Sequence, residues 1–269
     1  SGEEEVALGN NSEYVEVYTY DLLNRMVGMN QGDTTASYTY DGTGMRQSKM
    51  VNGVTTQHIL DGANVVADVT DGAVTKYSRG LGLISRTSNN TTDYYFTNHH
   101  GDVTKLVSST GTVIADYTYD AFGNEVGESS SDMNPFRYCG EYFDAETDSI
   151  YLRARYYTPQ TGRFISEDTH WNTDNMIYGD SNTETPSIYA ILQSSNLYEY
   201  CMNDAVNCWD PWGNKIIIEG ANSALFKTLQ KLTCDSLSMD EYGNIYIVSS
   251  AGENSKYKNG TELIRRIYF

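Results

Sequence analysis

One short motif, Tyr-Thr-Tyr-Asp, recurs in this chain and limits the folds it can adopt more than any other feature. The copies lie at residues 18–21, 38–41 and 117–120. In a β-strand alternate side chains point to the same face, so the two tyrosines of each copy share one face. The aspartate that follows is suited to opening a turn, because its carboxylate accepts backbone hydrogen bonds. Each copy therefore predicts a strand, a turn and a second strand.

Between the second and third copies the sequence favours further hairpins. Asn-Gly or Asp-Gly between β-branched runs is the strongest short-range hairpin signal, and short antiparallel strands are predicted at 54–60 and 73–78. Because an isolated hairpin is marginal in water, successive hairpins must stack to bury a common face. The predicted fold is mainly β, a curled or spiral sheet of stacked antiparallel hairpins. The turn dipeptides are Asn52-Gly53, Asp61-Gly62 and Asp71-Gly72.

The charge balance argues against a nucleic-acid partner. Aspartate and glutamate number 36 against 18 lysine and arginine residues, a formal net charge of -18. A surface this acidic does not neutralise phosphates, so no nucleic-acid binding is expected from the bulk of the chain. No apolar run approaches the roughly 18 residues of a membrane helix, and no membrane segment is predicted.

Neither the histidines nor the cysteines form a recognisable metal motif. His99 and His100 are adjacent, and neighbouring residues of a strand point to opposite faces, so the two cannot chelate one ion together. A hairpin turn is predicted there instead, and no metal or other cofactor is expected. The cysteines are irregularly spaced without a C-x-x-C pair, so they are predicted to be small buried apolar residues. They are Cys139, Cys201, Cys208 and Cys234.

The composition changes near residue 213, where a domain boundary is predicted. Residues 1–213 carry 11 basic and 30 acidic side chains, whereas residues 214–269 carry 7 and 6. A polar, serine-rich stretch at 126–135 marks an earlier boundary. The predicted domains are a repeat sheet at 1–125, a second domain at 126–213 and a small α+β tail at 214–269. Within the tail the pattern predicts a strand at 215–219, a helix at 223–232, a hairpin at 238–248 and a helix at 261–267.

A series of motifs in the second domain resembles the Rhs repeat-associated core closely. They include Asn-Pro-Phe-Arg-Tyr-Cys-Gly-Glu-Tyr-Phe-Asp, Thr-Gly-Arg-Phe-Ile-Ser-Glu-Asp and Asp-Pro-Trp-Gly. Together with the Tyr-Asp repeats and residues 95–103, the resemblance covers about four fifths of the chain. The matching core segments are 134–144, 151–157, 161–168, 196–200 and 210–213.

This resemblance to Rhs/YD-repeat proteins implies a hollow, spiralling β-sheet shell that the core domain plugs at one end. Such shells belong to large proteins that are secreted or delivered to the bacterial cell surface, and they enclose a variable C-terminal toxin. The implied function is encapsulation and delivery. The implied partners are the chain's own C-terminal cargo domain, of which residues 214–269 are the first part, and an immunity protein for the full-length toxin.

The resemblance also implies self-cleavage, because the core of related proteins acts as an internal aspartyl protease that cuts just after its Asp-Pro-x-Gly ending. Carried over by motif, the catalytic residues are Arg155, Asp168 and Asp210, and the cleavage region is Gly213 and Asn214. Two close carboxylates do not both ionise readily, so one can act as an acid while the other activates water. An adjacent arginine can keep one carboxylate charged or polarise the peptide carbonyl. No turnover of external substrates is expected.

Three departures from the family pattern surround these positions. Thr169 and Ala205 stand where the family usually has proline, and Asn214 replaces the apolar residue that commonly follows the final glycine. The alternative interpretation is that the three candidate catalytic residues only cap hairpin turns of the plug. Both interpretations stay open at this point.

Two other functions are compatible with the sequence. The tail resembles the opening of a toxin domain that later carries the His-Glu-x-x-His helix of zinc peptidases, so the chain could be a fragment of a secreted peptidase toxin. That motif is absent from the chain itself. Alternatively, the 23 tyrosines could bind sugars or proteins in a cell-surface module. Cross-strand packing with the hydroxyl reaching water explains alternating tyrosines more simply.

Overall fold

The computed structural model describes residues 4–8, 16–127, 134–168, 196–213, 217–218, 236–239 and 245–249. The chain divides into two compact units, Ser1–Pro159 and Gln160–Phe269. The first unit contains the repeats and the beginning of the predicted core domain. The second contains the rest of that domain and the tail, and the predicted boundaries near residues 125 and 213 stay predictions.

The repeat region folds into one antiparallel sheet of twelve strands, whose order in the sheet is their order in the sequence. Each strand therefore pairs with its neighbours in the chain, and no connection crosses over the sheet. This meander confirms the predicted stack of antiparallel hairpins. The strands are β1 (Glu4–Leu8), β2 (Glu16–Tyr20), β3 (Met26–Gln31), β4 (Thr34–Tyr40), β5 (Arg46–Val51), β6 (Val54–Asp61), β7 (Asn64–Thr70), β8 (Ala73–Arg79), β9 (Leu83–Ser88), β10 (Thr91–Thr97), β11 (Val103–Ser108) and β12 (Val113–Asp116).

Tight two-residue turns close several of the hairpins. Asn52 and Gly53, between β5 and β6, have φ values of 49° and 85°. Asp71 and Gly72, between β7 and β8, have φ values of 50° and 80°. Positive φ at both central residues is the requirement of the type I′ turn, whose twist matches that of antiparallel strands. Asn52-Gly53 and Asp71-Gly72 thus form the turns predicted for them. The third prediction was one residue out of register, because Asp61 still pairs with Asn64 and the turn is Gly62-Ala63.

The Tyr-Asp motifs form a second, longer kind of turn. Asp41 Oδ1 accepts hydrogen bonds from the backbone N–H of Thr43 at 2.8 Å and of Met45 at 3.0 Å. Asp21 and Asp120 accept the corresponding pair of bonds in their own copies. The Thr43 hydroxyl also donates to Asp41 and, with the backbone N–H groups, holds the pKa of this carboxyl below its usual value. The turn-opening role predicted for the aspartates is confirmed.

A β-bulge recurs along the sheet with nearly the spacing of the repeats. The pairing register shifts at Tyr20, Tyr40, Leu60, Arg79 and Thr97, at intervals of 18 to 20 residues. An extra residue in one strand bends that strand and increases its local twist. Successive hairpins therefore bend at equivalent positions.

Residues 134–159, which we name the core segment, pack on the buried face of the sheet within the first unit. They contain a 3₁₀ turn at Tyr138–Gly140 and three antiparallel strands, β13 (Tyr142–Asp144), β14 (Ser149–Leu152) and β15 (Arg155–Thr158). The covered face of the sheet is made by alternate residues of its strands, as a sheet with one buried face requires. Examples are Tyr18 and Tyr20 in β2, Ala36 and Tyr38 in β4, and Val65 and Ala67 in β7.

The described part of the second unit consists of short strands and one 3₁₀ turn, Cys201–Asn203. The predicted tail hairpin is confirmed by an antiparallel pair of strands, and the helices predicted at 223–232 and 261–267 lie outside the described residues. Among the residues the structure describes, no helix is long and apolar enough to cross a membrane. The strands are β16 (Arg163–Phe164), β17 (Cys208–Trp209), β18 (Ile217–Ile218), β19 (Ser236–Met239) and β20 (Ile245–Ser249).

Candidate functional site

The tyrosines of the repeats form the surface on which the core segment lies. The rings of Tyr77 and Tyr95 are buried, which confirms that they pack. Their hydroxyls do not reach water, however, and this part of the expectation was wrong. Tyr77 donates to Asp68 Oδ2 at 2.9 Å and Tyr95 donates to Asn134 Oδ1 at 2.8 Å. Because the core segment covers this face, protein acceptors replace water, and these two rings offer no exposed surface to a sugar.

An arginine of the sheet and an aspartate of the core segment form a fully buried ion pair. Arg46 Nη1 lies 2.5 Å from Asp144 Oδ2, and Arg46 Nη2 lies 3.1 Å from Asp144 Oδ1. The two side chains are 1% and 0% exposed, so the pair needs nearby groups to replace the lost hydration. Ring faces supply part of that compensation, since their centroids lie 4.3 to 5.8 Å from the guanidinium carbon. The rings are those of Tyr38, Tyr142, Tyr151 and Tyr156.

Lys49 and Glu146 extend this pair into a network, which we name the Asp144 cluster (Arg46, Lys49, Asp144 and Glu146). Lys49 Nζ lies 2.9 Å from Asp144 Oδ1 and 3.0 Å from Glu146 Oε2. Burial acts to raise the pKa of the Asp144 carboxyl, but Arg46 and then Lys49 outweigh it and lower that pKa below its usual value. Asp144 is therefore a carboxylate at neutral pH, held between two cations of the sheet.

A second buried aspartate is held mainly by uncharged donors, and we name this group the Asp68 cluster (Asp68, His58, Tyr77 and Tyr142). Asp68 Oδ1 lies 2.6 Å from His58 Nδ1, and Oδ2 accepts from the hydroxyls of Tyr77 and Tyr142, both at 2.9 Å. Burial lowers the pKa of His58, against the raising effect of its bond to Asp68. A neutral His58 then donates from Nδ1. Since Tyr142 belongs to the core segment, this cluster also joins core and sheet.

One further group has the composition of a metal site. His100, Asp102 and Cys139 place one possible ligand atom each within 4.8 Å of one another. His99 and His100 lie in a turn, as predicted, and His99 is exposed. The expectation of no metal motif overlooked Cys139, which only the fold brings to His100. The prediction that cysteines are buried is confirmed for Cys139, Cys201 and Cys208, while Cys234 lies outside the described residues.

The residues predicted for self-cleavage are divided between the two units. Arg155 begins β15 in the first unit and is buried, with 5% of its surface exposed. Asp168 belongs to the second unit and is partly exposed, and its backbone N–H donates to the carbonyl of Leu197 at 3.0 Å. Asp210, also in the second unit, is 2% exposed. Their joint role in proteolysis stays a prediction.

The Asp-Pro-Trp-Gly ending forms a turn. Asp210 Oδ1 accepts from the backbone N–H of Trp212 at 3.2 Å, and the Asp210 carbonyl accepts from Gly213 N–H at 3.4 Å. Gly213 has a φ of 72°, a conformation that glycine adopts without strain. Asp210 thus has the turn-capping contact that the alternative interpretation assigned to it. Asn214 and Thr169 lie beyond the described stretches.

Sequence reasoning missed the residues that fasten the core segment to the sheet. Asp144 closes the first core motif, and Arg46 follows the turn of the second Tyr-Asp repeat. Asp68 interrupts an apolar run in β7. The sequence did contain a signal for these residues, namely a charged residue on a strand face that is otherwise apolar or aromatic. Such a charge is buried only together with a partner.

Comparison with known proteins adds a family and two sets of relatives. A family model described as Teneurin YD-shell matches residues 65–206. The tRNA3(Ser)-specific nuclease WapA of Bacillus spizizenii is 35% identical over 209 residues, which are 73% of this chain and 8% of that protein. The tRNA nuclease WapA of Bacillus subtilis (strain 168) gives the same identity and the same coverage. The chain thus spans 8% of the length of these curated relatives.

Solved toxin structures share the fold. The crystal structure of TcdB2-TccC3-Cdc42 matches with a TM-score of 0.56 at 18% identity, covering 74% of this chain and 10% of that chain. A structure of the Photorhabdus luminescens Tc holotoxin pore matches with a TM-score of 0.52 at 18% identity and the same coverage. At this identity the match establishes the fold, and it confirms the predicted shell type of stacked antiparallel strands.

Proposed function

The chain belongs to the teneurin YD-shell family, whose model matches residues 65–206, and we propose on this basis that it is an encapsulation module of a toxin-bearing protein. The repeat sheet supplies part of the shell wall, and the core segment closes it. The cargo is a C-terminal domain of the same polypeptide that begins after Gly213. WapA relatives named as tRNA nucleases support a toxic cargo. The activity of this chain's own cargo does not follow from theirs.

The observation that carries this proposal is the Asp144 cluster. A container must hold its closing element firmly. Asp144 of the core segment is bound by Arg46 and Lys49 on the covered face of the sheet, and 0% of its side chain is exposed. Pulling the core segment away would break both ion pairs of Asp144 and expose the buried aromatic face of the sheet to water. The core segment and the repeats therefore behave as one piece.

The partners and location that we propose follow from the same function. The first partner is the attached cargo, and the second is an immunity protein that neutralises the complete toxin in the producing cell. We propose that the protein acts when secreted or at the bacterial cell surface, in keeping with toxin relatives such as WapA and the Tc assemblies. No nucleic-acid partner is proposed for the shell, because its composition is acidic.

Protease protection of the cargo tests encapsulation. In the full-length polypeptide that contains this chain, we expect the cargo to resist a protease that digests the isolated cargo. Asp144→Asn should loosen the closure and expose the cargo, whereas Asp116→Asn, which removes an exposed pair with Lys105, should leave the protection unchanged. Equal digestion rates for the enclosed and the isolated cargo would refute the encapsulation function.

We further propose that the module releases its cargo by hydrolysing the bond between Gly213 and Asn214. Of the two aspartates, Asp168 and Asp210, one acts as the base and takes a proton from a water molecule, whose oxygen adds to the Gly213 carbonyl carbon. The other acts as the acid and donates a proton to the Asn214 nitrogen as the peptide bond breaks. Arg155 stabilises the charge on the carbonyl oxygen. The products are a chain ending in a Gly213 carboxylate and a cargo beginning with Asn214.

Intact-mass measurement of the purified chain tests this cleavage. Self-cleavage should yield fragments of 213 and 56 residues, and Asp168→Asn or Asp210→Asn should abolish them. Asp204→Asn is a matched control, because Asp204 is an exposed aspartate of the same unit. A chain that stays intact after prolonged incubation, or an Asp210→Asn chain that is still cut at the same bond, would exclude the proposed chemistry.

A further inference from the structure

Three side chains that could bind a metal ion lie together where the turn between β10 and β11 contacts the core segment. His100 and Asp102 belong to this turn, and Cys139 lies in the 3₁₀ turn of the core segment. Asp102 and Cys139 are 6% and 8% exposed, whereas the His100 side chain keeps 14% of its surface. The group is nearly buried, and His100 is its most exposed member.

The separations within this group are close to those between ligands of a single ion, and all three ligand atoms lie within 4.8 Å of one another. His100 Nδ1 lies 3.0 Å from Asp102 Oδ1 and 3.6 Å from Cys139 Sγ. In a tetrahedral zinc site with bonds of about 2.0 to 2.3 Å, neighbouring ligand atoms lie about 3.3 to 3.6 Å apart. Side-chain adjustments that bring the three atoms from within 4.8 Å of one another to this spacing would place them around one ion.

His100 Nδ1 is approached by two atoms that can also act as metal ligands. The Nδ1 atom of an imidazole carries either a proton or a lone pair, yet a carboxylate oxygen and a thiol sulfur both approach this atom of His100. A metal ion instead accepts a lone pair from each of the three atoms. A thiolate, a carboxylate and a neutral imidazole carry two negative charges, which a divalent cation balances in a nearly buried site.

Asn98 orients the carboxylate for such a role. Its Nδ2 donates to Asp102 Oδ2 at 2.7 Å, and its Oδ1 accepts from the backbone N–H of Asp102 at 3.0 Å. The other carboxylate oxygen, Asp102 Oδ1, is the one directed at His100 and at the backbone N–H of Cys139, 2.8 Å away. Groups that hold a ligand in position are a regular part of metal sites.

We propose that His100, Asp102 and Cys139 form a binding site for a divalent transition metal ion of the zinc type, with water as the fourth ligand. The Cys139 thiol releases its proton to solvent when the ion binds, because the thiolate is the ligand. Thiolate and imidazole favour zinc or cobalt over magnesium and calcium, which prefer oxygen ligands. The ion links the turn at 98–102 to the core segment.

Cobalt titration of the whole chain tests the proposal directly. The purified, reduced protein is dialysed against a chelator and titrated with Co²⁺, a spectroscopic substitute for Zn²⁺. We expect one equivalent of Co²⁺ to bind and to give a thiolate-to-cobalt charge-transfer band. Added Zn²⁺ should displace the Co²⁺ and remove the band. Absence of that band at saturating Co²⁺ would overturn the proposal.

Substitutions assign the ligands. Cys139→Ser should abolish the charge-transfer band, and His100→Ala or Asp102→Asn should weaken binding more than about tenfold. His99→Ala and Cys208→Ser are the matched controls, since His99 is the exposed neighbour of His100 and Cys208 is a buried cysteine of the second unit. An unchanged band in Cys139→Ser, or its loss in Cys208→Ser instead, would refute the assignment.

A measurement on the unsubstituted chain covers the case in which a variant does not fold. Zinc should slow alkylation of Cys139 by iodoacetamide more than about tenfold, because a metal-bound thiolate is shielded from the reagent. Peptide mass spectrometry reads each cysteine separately, so Cys208 serves as the internal control. Equal alkylation rates of Cys139 with and without saturating zinc would contradict the site.

Discussion

The Asp144 cluster and the Asp68 cluster perform the same task in different ways. Each places a buried carboxylate between the repeat sheet and the core segment. Asp144 belongs to the core segment and meets two cations of the sheet, Arg46 and Lys49. Asp68 belongs to the sheet and meets an imidazole and two phenol hydroxyls. One junction is thus held by charge and the other by neutral hydrogen-bond donors.

The two clusters differ in how much stability is lost when the carboxylate is removed. A carboxylate removed from between two buried cations leaves charges without compensation, and such charges are far costlier than unsatisfied hydroxyls. The Asp68 donors, by contrast, lose hydrogen bonds but carry no full charge when His58 is neutral. The two clusters should therefore differ in their contribution to stability and in the pH at which they weaken.

The largest effect is expected from Asp144→Asn. Arg46 and Lys49 would keep their charges in a buried setting while losing the carboxylate, so the free energy of unfolding should fall by about 3 to 5 kcal/mol. Urea denaturation of the whole chain, followed by tyrosine fluorescence, measures this change. A loss below about 1 kcal/mol would show that the cluster is not a principal fastening.

A double variant tests whether the unpaired charges cause this loss. Arg46→Met combined with Asp144→Leu removes both charges of the closest pair, and replacing a buried pair by apolar residues is often far less harmful than removing one partner. We expect the double variant to be more stable than Asp144→Asn. As a control, Asp116→Asn breaks the exposed pair with Lys105 and should cost about 1 kcal/mol or less.

A smaller loss is expected from Asp68→Asn. The amide retains one acceptor, but its NH₂ group faces donors, so at least one of His58, Tyr77 and Tyr142 loses its bond. The free energy of unfolding should fall by about 1 to 3 kcal/mol, measured under the same conditions as Asp144→Asn. Tyr77→Phe removes a single hydroxyl and should cost less. An Asp68→Asn loss as large as that of Asp144→Asn would remove the contrast between the clusters.

The pH dependence separates the two clusters further. Burial lowers the pKa of His58, and its Nε2 has no hydrogen-bond partner in the described part of the chain. Below about pH 6.5 the unfolded chain binds a proton that the folded chain does not. Stability should therefore fall as the pH falls through this window, by at most about 1.4 kcal/mol per pH unit for one group.

His58→Asn tests this assignment, because an asparagine amide can still donate to Asp68 but does not titrate. The slope of stability between pH 6.5 and 5 should become smaller in this variant than in the unsubstituted chain, as measured by denaturation across pH. The Asp144 carboxyl, whose pKa is lowered, contributes above about pH 4 and is lost only at lower pH. An unaltered slope in His58→Asn would assign the acid sensitivity to other groups.

The fold was predictable because its signals are local. Turn dipeptides such as Asn52-Gly53 and the Tyr-Asp motifs act within a few residues, and the strands between them have no other stable arrangement than pairing with their neighbours. A sheet in sequence order follows directly, and the observed strand order agrees. Motifs shared with a known family added the prediction of a core domain at 126–213, whose bounds stay a prediction.

The site was less predictable because its partners are distant in sequence. Arg46 meets Asp144 across 98 residues, and His100 meets Cys139 across 39. Spacing carries no information at such separations, since a small change in sheet register would give each charge a different neighbour. The hydrogen-bond partners of the Tyr77 and Tyr95 hydroxyls could not be predicted from the sequence for the same reason. These hydroxyls face protein rather than water only because the core segment covers them.

The smallest effect is expected in the turns, which lie outside both clusters. Asp120 Oδ1 accepts from the backbone N–H of Phe122 at 2.8 Å and of Asn124 at 3.0 Å, but the residue is largely exposed, so water can replace these bonds. Asp120→Ala should therefore lower the free energy of unfolding by only about 0.5 to 1 kcal/mol. Asp120→Asn keeps the acceptor and should restore most of this loss. A loss in Asp120→Ala equal to that of Asp68→Asn would mean that the turns, and not only the buried clusters, hold the module together.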